Sequence, residues 1–329
     1  MNLALPLRAD SSTSTAFAEP GITPVDRRWQ DLPLRPTATI ADLELPAENL
    51  DLAKGMAIYR EHGALVIRGL FSRYMEGVRA DIARAAKQAI DLIPRATKVN
   101  EGWLTPDGTL LLPAPAGYAR QQQLMVLNCG YKESGSVFRS AMDDGMCDLA
   151  AALIGPDVEL FMEGQVLYKE PVGGHAKHLH QDSAYFEHRY DGPMAVLNYV
   201  VDTDLVNGAL HVVPGSHRCG VIPHIDTFSH LGLSATNFPW ERSLPICGKA
   251  GDAIIFHVHT IHGSKQNHSQ SPRPVCIHRY RNASDYVVVG ATSAANRQEA
   301  ESVEARKAAE LGRHRQRGLM VRGFRPFRE

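Results

Sequence analysis

No apolar run in this chain approaches the roughly 20 residues that cross a bilayer. The short stretch Leu3–Leu7 is broken by Pro6 and lacks the flanks of a signal peptide. Cysteine is sparse and scattered: residues 129, 147, 219, 247 and 276 form no C-x-x-C pair and no framework spacing. They read as reduced thiols of a cytoplasmic protein, which excludes a disulfide scaffold. Charge of one sign is missing too. The formal net charge is −1, so electrostatics give no case for nucleic acid or an anionic membrane as partner. No convincing P-loop, G-x-G-x-x-G or G-x-S-x-G is present, and no acid/base pair or activated nucleophile stands out.

What remains is one chain of 329 residues with enough apolar content for a large core and an unusual stock of 15 histidines. Residues 1–36 are rich in Ser, Thr, Pro and Asp without periodicity and read as a flexible arm. Residues 37–329 read as one domain. A helix is expected from Asp51 to a stop at Gly63, then a buried strand over Ala64–Phe71. A second helix is expected from a Ser72 cap to Ile93, loops over 94–136, and a third helix over Val137–Ile154, closed by Gly155-Pro156.

From Val158 onward short apolar, β-rich runs recur: 158–169, 175–180, 194–201, 209–213, 253–258, 275–281 and 286–289. Gly, Pro and Asn clusters separate them, as in Asp191-Gly192-Pro193, Asn207-Gly208 and Pro214-Gly215-Ser216. Many short strands with turn chemistry between them indicate an antiparallel sandwich or jelly roll, mainly β with flanking helices. A last helix is expected over Gln298–Leu311, then a solvated basic tail holding Arg313, Arg315, Arg317, Arg322, Arg325 and Arg328.

Chemistry concentrates in Lys177–Phe186, K-H-L-H-Q-D-S-A-Y-F. In an extended segment, residues i and i+2 share a face, so His180 and Asp182 aim at a common point. One imidazole and one carboxylate are two thirds of the two-His-one-carboxylate site that holds Fe(II) with open positions. The triplet alone is weak evidence, since a chain of this size and histidine content holds roughly one by chance. A second occurs at His224-Ile225-Asp226, in a region with little strand pattern.

A third ligand belongs on a later strand. His257, His259, His262 and His268 are all candidates there, and His262 stands at a strand exit beside Gly263, where a side chain can turn into a cavity. Downstream, Arg273 opens another strand. An arginine there offers a carboxylate a bidentate, permanently charged partner, and Ser264 offers a hydroxyl nearby. Read alone, Arg273 is a surface charge after a Pro-bearing turn.

Taken in order, these segments resemble the phytanoyl-CoA dioxygenase (PhyH-like) family of Fe(II)/2-oxoglutarate-dependent oxygenases. The matching blocks are E-H-G-A-L-V-I-R-G-L-F (61–71), Gln165 and Lys169 in G-Q-V-L-Y-K-E-P-V-G-G, His180-Gln181-Asp182, N-G-A-L-H-V-V-P-G-S-H (207–217), H-G-S-x-x-N-x-S (262–269), and Arg273 with Tyr280 closing its strand. The resemblance spans about residues 50–290. It implies a double-stranded β-helix (jelly roll, cupin-like) core. It also implies Fe(II) held by His180, Asp182 and His262, with 2-oxoglutarate and O2 as co-substrates. Arg273 would bind the distal carboxylate of 2-oxoglutarate with Ser264. Gln165 and Lys169 would lie near its other carboxylate or the substrate, and Asn198 would lie at the pocket. His178, Tyr185, Phe186 and Arg281 are the candidate substrate contacts, and Arg279 shares the face of Arg273 and Arg281.

The implied reaction is hydroxylation of an unactivated C–H of a small molecule, with succinate and CO2 as co-products. The protein carrying it out would be a monomer or homodimer. Related halogenases carry a small residue where Asp182 stands, so the carboxylate argues for oxygenation. Desaturation, cyclisation or epimerisation on the same iron chemistry is the alternative outcome. A jelly roll that binds metal without turnover is the alternative class.

Overall fold

The computed structural model describes residues 22–227, 230–290 and 317–325. Local chemistry sets the helical layer. Asp51 accepts from the backbone N–H of Lys54 (3.0 Å) to start the helix Leu52–His62, and Gly63, at φ 68°, ends it in the left-handed region. The helix Met75–Leu92 buries Met75, Val78, Ile82, Ala86 and Ala89, one stripe at helical spacing. Ser72 is not its cap; a 3-10 turn, Ser72–Tyr74, comes first.

The stretch 137–154 is two helices rather than one, Gly135–Ala141 and Asp144–Ile154. Asp143 causes the break: it caps the second helix by accepting from Met146 N–H (3.0 Å), and its other oxygen takes the hydroxyl of Tyr74 (3.1 Å).

Two sheets face each other behind this layer. The larger has twelve strands. Its centre runs Ala64–Arg68, Ala253–Phe256, Met194–Tyr199, Arg273–Asn282 and Gln165–Lys169, in that spatial order. The smaller runs Leu244–Ile246, Leu210–Val212, His262–Ser264, Lys177–His180. Every pairing along both central runs is antiparallel, which makes this core the expected jelly roll.

The larger sheet is also extended by four strands within 94–136, where loops were expected: Thr97–Val99, Gly102–Leu104, Leu110–Pro113 and Gln122–Leu127. Pairing of Val126 with Leu167 and Leu127 with Val166 ties them to the centre. Tertiary pairing overrides a sequence full of Pro, Gly and Gln.

Period-two alternation divides the core. Val196, Val200, Cys276 and Tyr280 pack under the helices. Ala195, Leu197, Tyr199, Val275 and Ile277 pack between the sheets. That inter-sheet space holds the functional residues.

The ends of the chain are tied down where they are described. Trp29 packs on Phe238 at 5.1 Å between ring centroids, Leu32 is buried, and Asp26 pairs with Arg218. The expected helix at 298–311 lies outside the described residues, as do Arg313, Arg315 and Arg328. Leu319–Arg322 is no solvated tail but a strand against Val158–Leu160. Arg322 pairs with Asp144 (2.9 Å) and Asp148 (2.7 Å), and Arg325 pairs with the buried Glu159.

Gly63 links this frame to the inter-sheet space. Its carbonyl accepts from His257 N–H (3.0 Å) and from the Thr260 hydroxyl (2.6 Å), so it anchors the turn that delivers His262. A Cβ there would sit 2.6 Å from Thr260 Oγ1, on a backbone that L residues disfavour. Gly63→Ala should therefore lower stability by at least about 2 kcal/mol. Urea unfolding checks this, and an unchanged midpoint would mean that the turn is not anchored here.

Candidate metal and co-substrate site

Strand register builds the site. His262 opens one strand of the smaller sheet directly opposite His180, which ends its neighbour. Their rings lie 4.3 Å apart between centroids. After His180 the chain continues extended through Gln181 and then turns into the 3-10 segment Asp182–Ala184. Asp182 thus leaves the strand but still points back at the pair. Its Oδ1 is 3.9 Å from His180 Nε2 and 3.7 Å from His262 Nε2. All three side chains are buried. Among the described residues they are the sole group of three or more His, Cys, Asp or Glu that could surround one ion, with ligand atoms within 4.8 Å of one another.

Neighbouring groups prepare these atoms. His180 Nδ1–H donates to the carbonyl of His178 (2.7 Å), and His262 Nδ1–H to that of Thr260 (2.9 Å). Each bond fixes the tautomer and turns Nε2 inward with a free lone pair. Burial holds both imidazoles below the ordinary histidine range, His180 well below, where the nearby His262 adds to the effect. Neutral imidazoles are the form that ligates. Asp182 Oδ2 is buried with no hydrogen-bond partner. Two free Nε2 lone pairs and one carboxylate around a point suit a divalent cation of the Fe(II) type.

Gln181, between the two, explains the rigidity. It is fully buried; its amide N–H groups donate to the carbonyls of Gly220 (2.8 Å) and His259 (2.7 Å), and its oxygen accepts from Ile222 N–H (2.8 Å). The competing triplet serves the first one: His224 Nε2 accepts from Gln181 N–H (2.9 Å), His224 Nδ1–H donates to Ile222 O (2.7 Å), and Asp226 is exposed.

One inter-sheet wall carries a positive cluster. Arg273 pairs in register with Lys169, and both are buried. Lys169 Nζ donates to the carbonyls of Ser264 (3.2 Å) and Lys265, bringing Ser264 to the same place. Arg273 donates to the carbonyls of Asn207 (3.4 Å) and Gly208, so the Asn-Gly turn is its holder. Among the described residues, no carboxylate is paired with either side chain. Burial, then Arg273, drives Lys169 well below its ordinary range, and burial pushes Arg273 down to about 10. Two adjacent buried basic side chains held by carbonyls fit a dianionic co-substrate such as 2-oxoglutarate, which would favour the charged forms that burial alone disfavours.

The other expected residues divide. Gln165 faces the site and accepts from Arg279 Nη1 (3.3 Å) and Nη2 (3.2 Å). Tyr185 lies edge-on to His180 (5.9 Å), and Phe186 packs on the Arg279 guanidinium (5.5 Å). His178 is exposed and stacks on His230 (5.1 Å), a neighbour that spacing did not reveal.

Asn198 is not at the pocket. On the strand Met194–Tyr199 it falls on the helix-facing side and meets His278 (3.4 Å), as alternation requires. Arg281 is committed to Glu159 (2.6 Å) and His188 (3.2 Å). Arg279 instead approaches Asp182, with Nε 3.7 Å from Oδ2.

A cavity of about 220 Å³ opens beside Gln165, Ile277, Arg279, Phe161 and Asn128. A larger one, about 560 Å³, lies beside Thr23, Tyr59, Asp191 and His257, and neither cavity is lined by a triad residue.

Comparison with known proteins places the chain. The model of the phytanoyl-CoA dioxygenase (PhyH) family matches residues 59–275. A probable alpha-ketoglutarate-dependent hypophosphite dioxygenase of Stutzerimonas stutzeri is 29% identical over 44% of this chain, which spans about half (52%) of that protein. The peroxisomal phytanoyl-CoA dioxygenase of Rattus norvegicus is 25% identical over 72% of this chain and 71% of its own. Among solved structures, the non-haem alpha-ketoglutarate-dependent carbocyclase SnoK from nogalamycin biosynthesis shares the fold at TM-score 0.54, with 17% identity over 74% of this chain and 88% of its own. Among the described residues, no helix is long and apolar enough to cross a membrane.

The buried imidazoles predict how stability follows pH. Burial pushes His188, His217 and His278 each down to about 3. They are neutral in the fold, yet the unfolded chain protonates them below about 6.5. The unfolded state therefore binds more protons as pH falls from about 6.5 towards 3. Stability should be full above that window and drop through it by more than the roughly 1.4 kcal/mol per pH unit of one proton. Denaturant melts at pH 7, 6 and 5 measure this; equal midpoints would contradict it.

Proposed function

The chain belongs to the phytanoyl-CoA dioxygenase (PhyH) family of Fe(II)- and 2-oxoglutarate-dependent oxygenases, and on that premise we propose that it hydroxylates an unactivated C–H of a small molecule at His180, Asp182 and His262. The observation that carries this reading is the convergence of two free Nε2 atoms and one carboxylate oxygen beside two buried basic side chains, Lys169 and Arg273, held by carbonyls.

Fe(II) bound there supplies the redox chemistry that couples decarboxylation of 2-oxoglutarate by O2, giving succinate and CO2, to cleavage of the substrate C–H. The chain's own residues do the rest. His180, Asp182 and His262 would hold it through Nε2, a carboxylate oxygen and Nε2. Arg273, steadied by the carbonyls of the Asn207-Gly208 turn, takes the distal carboxylate of 2-oxoglutarate, with Ser264 and Lys169 beside it. Tyr185, Phe186 and His178, with His230, stand where a substrate would approach and would set which hydrogen is presented. Placement of that hydrogen also decides between hydroxylation and desaturation, cyclisation or epimerisation, which share the site.

Purified protein should form succinate from 2-oxoglutarate in an Fe(II)- and O2-dependent manner without added substrate. Asp182→Ala should abolish it, and Asp226→Ala should leave it nearly intact; the reverse pattern would transfer the site to the other triplet. Arg273→Ala should raise the 2-oxoglutarate KM by about 100-fold or more, the consequence of leaving a buried carboxylate without its cation. A KM within a few-fold of wild type would remove Arg273 from the co-substrate site.

A further inference from the structure

The two oxygens of Asp182 face different neighbours. Oδ1 is the atom near both imidazoles, at 3.9 Å and 3.7 Å. Oδ2 turns away towards Arg279 Nε, 3.7 Å distant. Both Oδ2 and that Nε are buried, and neither has a hydrogen-bond partner. They are an acceptor and a charged donor, too far apart for a hydrogen bond and within ion-pair reach.

Arg279 is held from two other directions. Its Nη1 and Nη2 donate to Gln165 Oε1, and its guanidinium lies 5.5 Å from the centre of the Phe186 ring. Only Nε is left to point at the carboxylate. The register explains the arrangement: Arg279 pairs with Ala195, which in turn pairs with Phe256, and Phe256 packs on His262 at 4.3 Å between centroids.

We propose that Arg279 is a positioning residue that engages Oδ2 and so restricts Asp182 to donating Oδ1 alone to the metal. This rests on the triad being the metal site. A carboxylate free to rotate can ligate through both oxygens and take up one more position around the ion. With Oδ2 engaged by a fixed cation, that position stays open for a co-substrate oxygen. The same guanidinium also lines the cavity of about 220 Å³ beside Gln165. Partners that orient a ligating side chain commonly change affinity by 10–100-fold when lost.

The test uses the full chain loaded anaerobically with Co(II), whose visible spectrum reports coordination, and calorimetry with 2-oxoglutarate. Arg279→Met should still bind one Co(II), show an altered Co(II) spectrum, and lose roughly tenfold or more in 2-oxoglutarate affinity. Arg279→Lys, which keeps the charge, should recover part of both. If Arg279→Met does not fold, Gln165→Leu, which removes the anchor of the guanidinium, should shift the spectrum in the same direction. A wild-type spectrum and wild-type affinity in the variant that folds would overturn the proposal, as would lowered thermal stability with no spectral change. Failure of the wild-type chain to bind Co(II) would instead refute the triad as the metal site.

Discussion

One register carries the account: the strand ending at His180 lies against the strand beginning at His262, with the two histidines opposite each other. A slip by one residue would send one imidazole to the outer face of the smaller sheet. Apolar burial on that outer face fixes the alignment. Leu179, between the site residues, packs there with Ile222, Leu233 and Ile261. Gln181 locks the next step by tying three carbonyl and amide groups from two other loops to one side chain. The site inherits its rigidity from a hydrophobic cluster and a buried amide, neither of which touches the metal position.

Charge balance is the second constraint. Among the described residues Asp182 is the one carboxylate grouped with the two imidazoles, while Lys169, Arg273 and Arg279 are buried on the facing strands. Arg279 has Asp182 and Gln165, whereas among the described residues Lys169 and Arg273 are hydrogen-bonded to carbonyls alone. An anion between them would offset the penalty of burying two such groups together. The proposed dicarboxylate co-substrate would supply that anion.

Much of this was legible in the sequence, for reasons that particular residues show. Gly63, Asp51 and the Asn207-Gly208 turn act through local backbone rules, so their roles follow from residue type. The H-x-D spacing and the later histidine follow from strand periodicity and the family pattern. What was missed depended on partners distant in sequence. Gln122–Leu127 becomes a strand because Gln165–Lys169 is there to pair with it. Asp143 splits one expected helix into two because Met146 N–H and Tyr74 both need its oxygens. Asn198 was placed on the wrong face, although alternation along its own strand puts it with Val196 and Val200 rather than Leu197. Arg279 and Arg281 share a face, and only the partner of each separates them: Glu159 takes Arg281, which leaves Arg279 for Asp182.

The family, the fold and the gathered residues agree on an Fe(II)- and 2-oxoglutarate-dependent oxygenase. The most direct test is an anaerobic crystal structure with Fe(II) and 2-oxoglutarate. The account predicts one metal ion between His180 Nε2, His262 Nε2 and Asp182 Oδ1, with the distal carboxylate of 2-oxoglutarate on Arg273. Metal bound elsewhere, or a co-substrate carboxylate that avoids Arg273, would contradict it.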